Sequence, residues 1–101
     1  NQQLDKKEIR AIGFPMSEKL IEREKMIVQG TIEGALYSIE HGISMNIAGG
    51  THHAHYDFGS GYCIFNDLAV CSFLALSKYN LNKIAVVDFD VHRMIYVIKS
   101  L

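Results

Sequence analysis

Helical and strand patterns alternate along most of this 101-residue chain, and their order restricts the folds open to it. Apolar positions recur at helical spacing through residues 18–41 and again through 67–78. An apolar and polar alternation at 43–48 follows the first helix, and a β-branched apolar run at 83–92 follows the second. Helices that alternate with strands are typical of a parallel sheet covered by helices. The sequence therefore predicts an α/β fold.

Capping residues mark the ends of both long helices. Ser17 has a side chain suited to cap the helix at 18–41, and Gly42 follows its last residue. Asn66 and Asp67 most simply cap the second helix, since both residue types favour that position.

Glycines mark the remaining features of the helical region. Gly13 ends a shorter helix expected over residues 4–13. Gly30 and Gly34 lie inside a helix, where each costs about 1 kcal/mol relative to alanine. We expect them either to allow close packing of the helix against a sheet or to mark a kink.

Composition excludes several classes of protein. The chain is 49% hydrophobic and 21% charged, as in globular domains, and its formal net charge of −1 offers no basis for direct binding to nucleic acid or membrane. The longest apolar stretch, residues 62–76, is shorter than the roughly 20 apolar residues of a membrane span. Cys63 and Cys71 lack C-x-x-C spacing and suit a reducing compartment, so we predict a cytoplasmic location.

A histidine cluster, GGTHHAH at residues 49–55, is the most unusual local feature. Histidine exchanges protons near neutral pH and is the commonest metal ligand, so the cluster indicates proton chemistry or metal chemistry. A second cluster, DFDVH, ends the predicted strand at 83–92. Ligands of open parallel sheets bind beyond the carboxyl ends of the strands, which predicts that the two clusters form one site.

Three motifs in this order, GGTHHAH, GSGYCIFND and VVDFDVH, resemble the histone deacetylase family, in particular its bacterial histone deacetylase-like and acetylpolyamine amidohydrolases. Arginase-like folds share the strand-end pattern but lack the HHA and GYC segments. The resemblance implies a three-layer α/β/α fold of the arginase/deacetylase type with a parallel sheet. It also implies a zinc-dependent amidohydrolase that removes acetyl groups from lysine or from polyamines.

The resemblance also implies roles for five residues. His52 and His53 match the tandem histidines of the family, of which one is held by a buried carboxylate and one acts as general base and acid. Asp88 matches the acid that hydrogen-bonds the first histidine, and Asp90 and His92 match two of three zinc ligands. Alternation along a strand would place Asp88, Asp90 and His92 on one face.

Four further residues lie in or near the expected site. Gly61 and Tyr62 match the wall of the channel that receives the substrate chain, and Cys63 lies beside its foot. We interpret Cys63 as a small buried residue rather than a nucleophile, because no cation is expected beside it. His55 receives no role.

The last residues depart from the family pattern. Met94 and Ile95 stand where the family has glycine and a polar partner for the second histidine. The third zinc-ligating aspartate and the oxyanion-stabilising tyrosine have no counterpart before Leu101. We therefore interpret 1–101 as a partial domain, family-like to about residue 92, with an aberrant tail at 93–101. The polar start without methionine reads as an internal start of a longer chain.

Two alternatives to an enzyme remain open. The chain could be a catalytically inactive remnant or interaction module of the same fold. It could also be a metal-binding domain that uses His52, His53, His55 and Cys63. The expected partners are an acetylated lysine or polyamine substrate, with no direct nucleic acid and no membrane. An unpaired sheet edge would in addition offer a route to self-association.

Overall fold

The computed structural model describes residues 4–90 and the backbone of residues 95–99. These ranges contain three helices and two strands: α1 (Lys6–Ile12), α2 (Glu18–His41), α3 (Asp67–Lys78), β1 (Lys83–Val87) and β2 (Ile95–Lys99). None of the helices in these ranges has both the length and the apolar content needed to cross a bilayer.

The two longer helices begin and end at the residues that the sequence predicts, whereas α1 covers Lys6–Ile12 rather than residues 4–13. Asp5 caps α1 by accepting hydrogen bonds from the backbone of Lys7 and Glu8. Ser17 caps α2 by accepting from Leu20 N at 3.1 Å, and Gly42 follows the helix with a positive φ of 99°. Local sequence signals therefore suffice to place these elements.

The strand expected at 43–48 is absent, and this prediction was wrong. Residues 43–46 have no regular secondary structure, residues 47–48 form a turn, and the segment pairs with no strand among the described residues. Its polar side chains turn toward α2 instead, where Ser44 Oγ donates to Gly34 O at 2.5 Å and Asn46 Nδ2 donates to Thr31 Oγ1 at 2.8 Å. The alternation of apolar and polar residues thus does reflect two sides of the segment. The polar side, however, contacts α2 instead of being exposed to solvent.

Gly30 and Gly34 do mark a close approach, although their neighbour is not a sheet. A Cβ on Gly30 would lie 3.2 Å from Asn46 Nδ2, and one on Gly34 would lie 3.2 Å from Ser44 Oγ. The two glycines let the segment at 43–47 lie directly on the helix.

The sheet in the described residues is a two-stranded antiparallel ribbon. β1 pairs with β2 from Lys83 opposite Lys99 to Val87 opposite Ile95. β1 ends before Asp88, so the strand expected over 83–92 is shorter than predicted, and β2 was not predicted. Ile84 and Val86 are half-buried, whereas Lys83, Ala85 and Val87 are exposed. α3 packs against β1, so the described residues cover one face of this strand.

A small core holds these elements together. α2 packs against α3, and α3 packs against β1. Among the described residues, the buried apolar side chains are Ile12, Ile27, Ala54, Cys63 and Ala75. Ala54 and Cys63 come from the loops between α2 and α3, so the core reaches into the region that carries the histidine motif.

Candidate active site

Two glycines shape the start of the histidine loop, residues 49–55. A Cβ on Gly49 would lie 2.9 Å from the Asp67 carboxylate, so no larger residue fits without a shift. Gly50 has a positive φ of 85°, which glycine adopts without steric cost. His52 N then donates to Gly50 O at 2.9 Å and closes the turn that presents the histidine side chains.

Asp67, the first residue of α3, binds this loop with a fully buried carboxylate. It accepts hydrogen bonds from Gly50 N at 2.9 Å, Thr51 N at 2.8 Å and Thr51 Oγ1 at 3.0 Å. Thr31 Oγ1 of α2 donates a fourth at 2.6 Å. Burial raises the pKa of Asp67, but these donors outweigh it and hold that pKa below its ordinary value. The carboxylate therefore carries a charge that the loop backbone solvates.

Asn66 binds the other side of the same loop. Its Oδ1 accepts from Ala69 N at 3.0 Å and caps α3, as the sequence predicts. Its Nδ2 donates to His52 O at 3.3 Å and to Ala54 O at 3.1 Å. These contacts to the loop were not predicted, because an Asn-Asp pair before a helix signals a cap and nothing more.

The two histidines and the two aspartates of the motifs meet at the carboxyl end of β1. His52 Nδ1 lies 3.2 Å from Asp88 Oδ2, and His52 Nε2 lies 3.0 Å from His53 Nε2. Asp90 Oδ2 lies 3.2 Å from His52 Nε2 and 3.7 Å from His53 Nε2. The structure thus brings together four of the predicted site residues, and the fifth, His92, lies outside the described residues.

Burial differs among these four side chains in a way that suits different tasks. The Asp88 side chain is 9% exposed and that of His52 is 20% exposed, whereas His53 and Asp90 are 40% and 42% exposed. Asp88 Oδ1 also accepts from Asp90 N at 2.8 Å, which fixes its carboxylate. A buried carboxylate against Nδ1 orients an imidazole and selects its tautomer. The more exposed pair is left open to solvent.

The donor atoms present fit a zinc ion. One nitrogen each of His52 and His53 and one oxygen of Asp90 lie within 4.8 Å of one another. Imidazole nitrogen and carboxylate oxygen are both ordinary zinc ligands. Within the described ranges, neither His55 nor Cys63 belongs to this group. His55 instead stacks on Phe58 at 4.2 Å between ring centroids, so the four-residue metal set considered from the sequence is not assembled.

Gly61 and Tyr62 form a tight turn beside His53. Both have positive φ, 53° and 63°, and Ser60 and Cys63 pair across the turn. A Cβ on Gly61 would lie 2.9 Å from His53 Cγ, so the glycine backbone is the surface on which the imidazole rests. The exposed Tyr62 ring meets Phe14 edge-on at 5.0 Å. Of the two residues predicted to line the channel, Gly61 therefore contacts His53, whereas the Tyr62 ring lies against Phe14.

Cys63 and Cys71 are both free thiols. Burial raises the pKa of each thiol above its ordinary value. A raised pKa keeps sulfur protonated and unreactive at neutral pH. The structure agrees with the interpretation of Cys63 as a buried packing residue.

Comparison with known proteins identifies the same family as the motifs. The histone deacetylase domain matches residues 1–93. An uncharacterized protein of Picosynechococcus sp. is 44% identical over 84 residues, which cover 83% of this chain and 28% of that protein. Histone deacetylase 2 of Arabidopsis thaliana is 31% identical over 81 residues, covering 80% of this chain and 21% of the relative.

A third relative carries a different substrate in its name. Polyamine deacetylase HDAC10 of Danio rerio is 44% identical over 41 residues, or 41% of this chain and 6% of that protein. The chain spans less than a third of the length of each of these relatives.

Proposed function

The chain belongs to the histone deacetylase family, and on that premise we propose that it is part of a zinc-dependent deacetylase acting on acetyl-lysine or acetylated amines. The observation that carries the proposal is the contact of the His52 and His53 imidazoles with Asp88 and Asp90 at the end of β1. Amide hydrolysis needs a base for the attacking water and an acid for the leaving amine, and imidazole serves as both near neutral pH.

In this proposal the two histidines have separate tasks. Asp88 holds the Nδ1 proton of His52, which leaves Nε2 of that ring directed at His53 and Asp90. His53 is the more exposed of the two rings, and it takes the proton of the attacking water and returns it to the departing amine. His52 and Asp88 stabilise the charge that this transfer creates.

Asp90 and His92 are the proposed metal ligands within this chain. Zinc, when bound, acts as a Lewis acid that polarises the acetyl carbonyl and activates water at neutral pH. The carboxylate oxygen of Asp90, which lies within 4.8 Å of the His52 and His53 nitrogens, supports its part of this assignment, while His92 rests on the family motif. Catalytic zinc sites use three protein ligands, and the family pattern supplies two here, so we expect zinc to bind this 101-residue chain weakly.

Gly61 and Tyr62 are proposed to line the path of the substrate chain. Support comes from the backbone of Gly61 next to the His53 ring and from the exposed ring of the following residue, Tyr62, which lies against Phe14. Exposed aromatic rings close in sequence to a general base would hold the aliphatic part of a lysine or polyamine. Turnover of an acetyl-lysine peptide compared with turnover of an acetylated polyamine distinguishes the two substrate classes.

The wider organisation follows from the same premise. We propose that residues 1–101 are a partial domain of the three-layer deacetylase fold, family-like to about residue 92, which the match over 1–93 supports. Free Cys63 and Cys71 support a cytoplasmic location. The unpaired segment at 43–47 supports self-association of the isolated chain.

An inactive remnant or interaction module is the second candidate. Ile95 favours it, because the family has a polar partner of the second histidine at this position and isoleucine offers no hydrogen bond. His53 would then lack an anchor on one side. The two candidates predict different results when the histidine motif is placed in a complete domain.

A chimera tests the proposal directly. The aligned 84 residues of this chain replace their counterpart in the Picosynechococcus relative, and zinc content and turnover are measured on a fluorogenic acetyl-lysine peptide and an acetylated polyamine. We expect turnover that His53→Ala lowers by about a hundredfold or more, in line with loss of a general base. A chimera that folds and holds zinc but stays at the His53→Ala rate, beside an active unmodified relative, would favour the inactive remnant.

A further inference from the structure

We propose that Asn66 and Asp67 are positioning residues that clamp the histidine loop from both sides and so hold the His52 and His53 rings together. The proposal rests on the proposed function of the histidine pair, because it concerns how that pair is kept in register. Neither residue touches the reacting groups. Both act through the backbone of the loop.

Asp67 holds the loop on the side that precedes the histidines. Its buried carboxylate takes the N–H groups of Gly50 and Thr51, the two residues directly before His52. Hydrogen bonds to a charged acceptor are about twice as strong as neutral ones. The charge also sits at the first residue of α3, where the helix N-terminus favours an anion. The entry of the loop is therefore tied to a rigid helix.

Asn66 holds the loop on the side that follows. Its amide nitrogen donates to the carbonyls of His52 and Ala54, which lie immediately before and after His53. Capping of α3 uses only the amide oxygen, through Ala69 N. The nitrogen is thus left to bind the loop, and one side chain joins the cap of the helix to the backbone on both sides of His53.

Together the two side chains bracket the backbone of the histidine pair. The rings they support lie 4.2 Å apart between centroids, with the two Nε2 atoms at 3.0 Å. Such a pair loses function when its support loosens by about 1 Å. Thr31 of α2 also donates to the Asp67 carboxylate, but this hydrogen bond does not reach the backbone of the loop.

Asn66→Ser separates the clamp from the cap. Serine caps helices about as well as asparagine, so α3 keeps its start while the two bonds to the loop are lost. Thr31→Val is the matched control: it removes two hydrogen bonds of Thr31 Oγ1, one to the same Asp67 carboxylate and one from Asn46 Nδ2, and neither involves the histidine loop. Both variants of the 101-residue chain should lower the melting temperature by several degrees.

The decisive readout is the nuclear Overhauser cross-peak between the His52 and His53 rings. A loosening of about 1 Å from 4.2 Å weakens an inverse-sixth-power signal about three- to fourfold. We expect that loss in Asn66→Ser and an unchanged cross-peak in Thr31→Val. A cross-peak that is absent in the wild type, unchanged in Asn66→Ser, or equally weakened in both variants overturns the proposal.

A second variant, Asn66→Asp, keeps the cap and removes the amide donor, and it decides the matter if Asn66→Ser does not fold. Weakening of the cross-peak in folded Asn66→Asp supports the clamp, and an unchanged cross-peak overturns it. Unfolding of both capped variants also overturns it, since the residue would then be purely structural. The ring contact is measured without zinc or substrate, so failure of deacetylation in the chimera bears on the function alone.

Discussion

The His53 ring rests on the backbone of Gly61, so its position depends on a residue without a side chain. Gly61→Ala puts a Cβ within 2.9 Å of His53 Cγ and forces a positive φ on alanine. We expect a loss of about 1–2 kcal/mol in the free energy of unfolding and a shifted His53 imidazole signal in NMR spectra. The backbone strain and the displaced ring act together.

Gly42→Ala is the control for that prediction. Gly42 also has a positive φ, 99°, but a Cβ there would meet nothing within 4 Å, and the residue lies outside the histidine loop. This variant should therefore pay the backbone cost and leave the Gly61–His53 contact intact. Equal shifts of the His53 signal in the two variants would show that the close contact at Gly61 does not matter.

The stability of the chain should depend on the charge of Asp67. Its folded pKa is lowered, so its contribution is fully present above the unfolded aspartate value of about 3.9 and is lost as pH falls through the folded pKa. Asp67→Asn leaves buried donors unpaired and should cost about 2–3 kcal/mol of unfolding free energy at pH 7. In urea titrations the difference in unfolding free energy between Asp67→Asn and the wild type should become smaller below about pH 4. The exposed Asp57→Asn is the control, and a gap independent of pH would contradict the charge argument.

Sequence motifs identified the side chains that meet in the site but not the residues that support them. His52, His53, Asp88 and Asp90 stand out because their types and spacing match a known chemistry. Asn66 and Asp67 do not, because their bonds to the loop arise only when α3 is brought against it. These hydrogen bonds are tertiary contacts. The sequence pattern of a helix cap is the same whether or not the capping residues also bind a distant loop.

Helices were predictable at the scale of elements because their signals are local. α2 begins after Ser17 and ends before Gly42, as its caps and apolar stripe predict. The structure of residues 43–48 was not predictable in this way. Alternation of apolar and polar residues shows that a segment has two sides, but it does not show which residues pair with the backbone. β1 was predicted as a strand, but its antiparallel partner β2 was not. Strand pairing depends on distant residues, whereas a helix satisfies its own backbone.

Contact between α2 and the segment at 43–47 leads to a prediction at Gly30. Alanine there would gain about 1 kcal/mol in helix propensity. Its Cβ, however, would press on Asn46 Nδ2, which donates to Ile27 O at 3.0 Å and to Thr31 Oγ1 at 2.8 Å. Loss of two such bonds costs about 1 kcal/mol each, so Gly30→Ala should lower the free energy of unfolding by about 1 kcal/mol.

In a chain that carries Asn46→Ala, we expect Gly30→Ala to raise the free energy of unfolding instead of lowering it. Without the Asn46 amide, the new Cβ loses the three atoms nearest to it, and Gly30→Ala should stabilise the chain by up to about 1 kcal/mol. Four proteins in one chemical denaturation series complete the double-mutant cycle. Additive effects of the two substitutions would mean that the glycine is not kept for this contact.

At the scale of the whole molecule, the core is small and much apolar surface is uncovered. Five apolar side chains are buried among the described residues, while Ile43, Met45 and Ile47 of the segment at 43–47 are 82%, 86% and 95% exposed. Ser44 and Asn46 face α2, which leaves Met45 between them on the opposite side, and Ile47 lies at the turn that follows. A segment without a strand partner and with exposed apolar side chains is suited to pair with another chain.

We therefore expect the isolated chain to self-associate through residues 43–47. Met45 lies at the centre of that segment, and Met45→Lys places a charge where two copies would meet. The dissociation constant for self-association of this variant, measured by sedimentation velocity, should be about tenfold or more above that of the wild type. Such a rise corresponds to a loss of at least about 1.4 kcal/mol in association free energy. Phe73→Lys is the control, because Phe73 is 71% exposed on a helix and lies outside the segment at 43–47. If both substitutions dissociate the chain alike, association arises from general exposure of apolar surface; if neither does, the segment at 43–47 is not the contact.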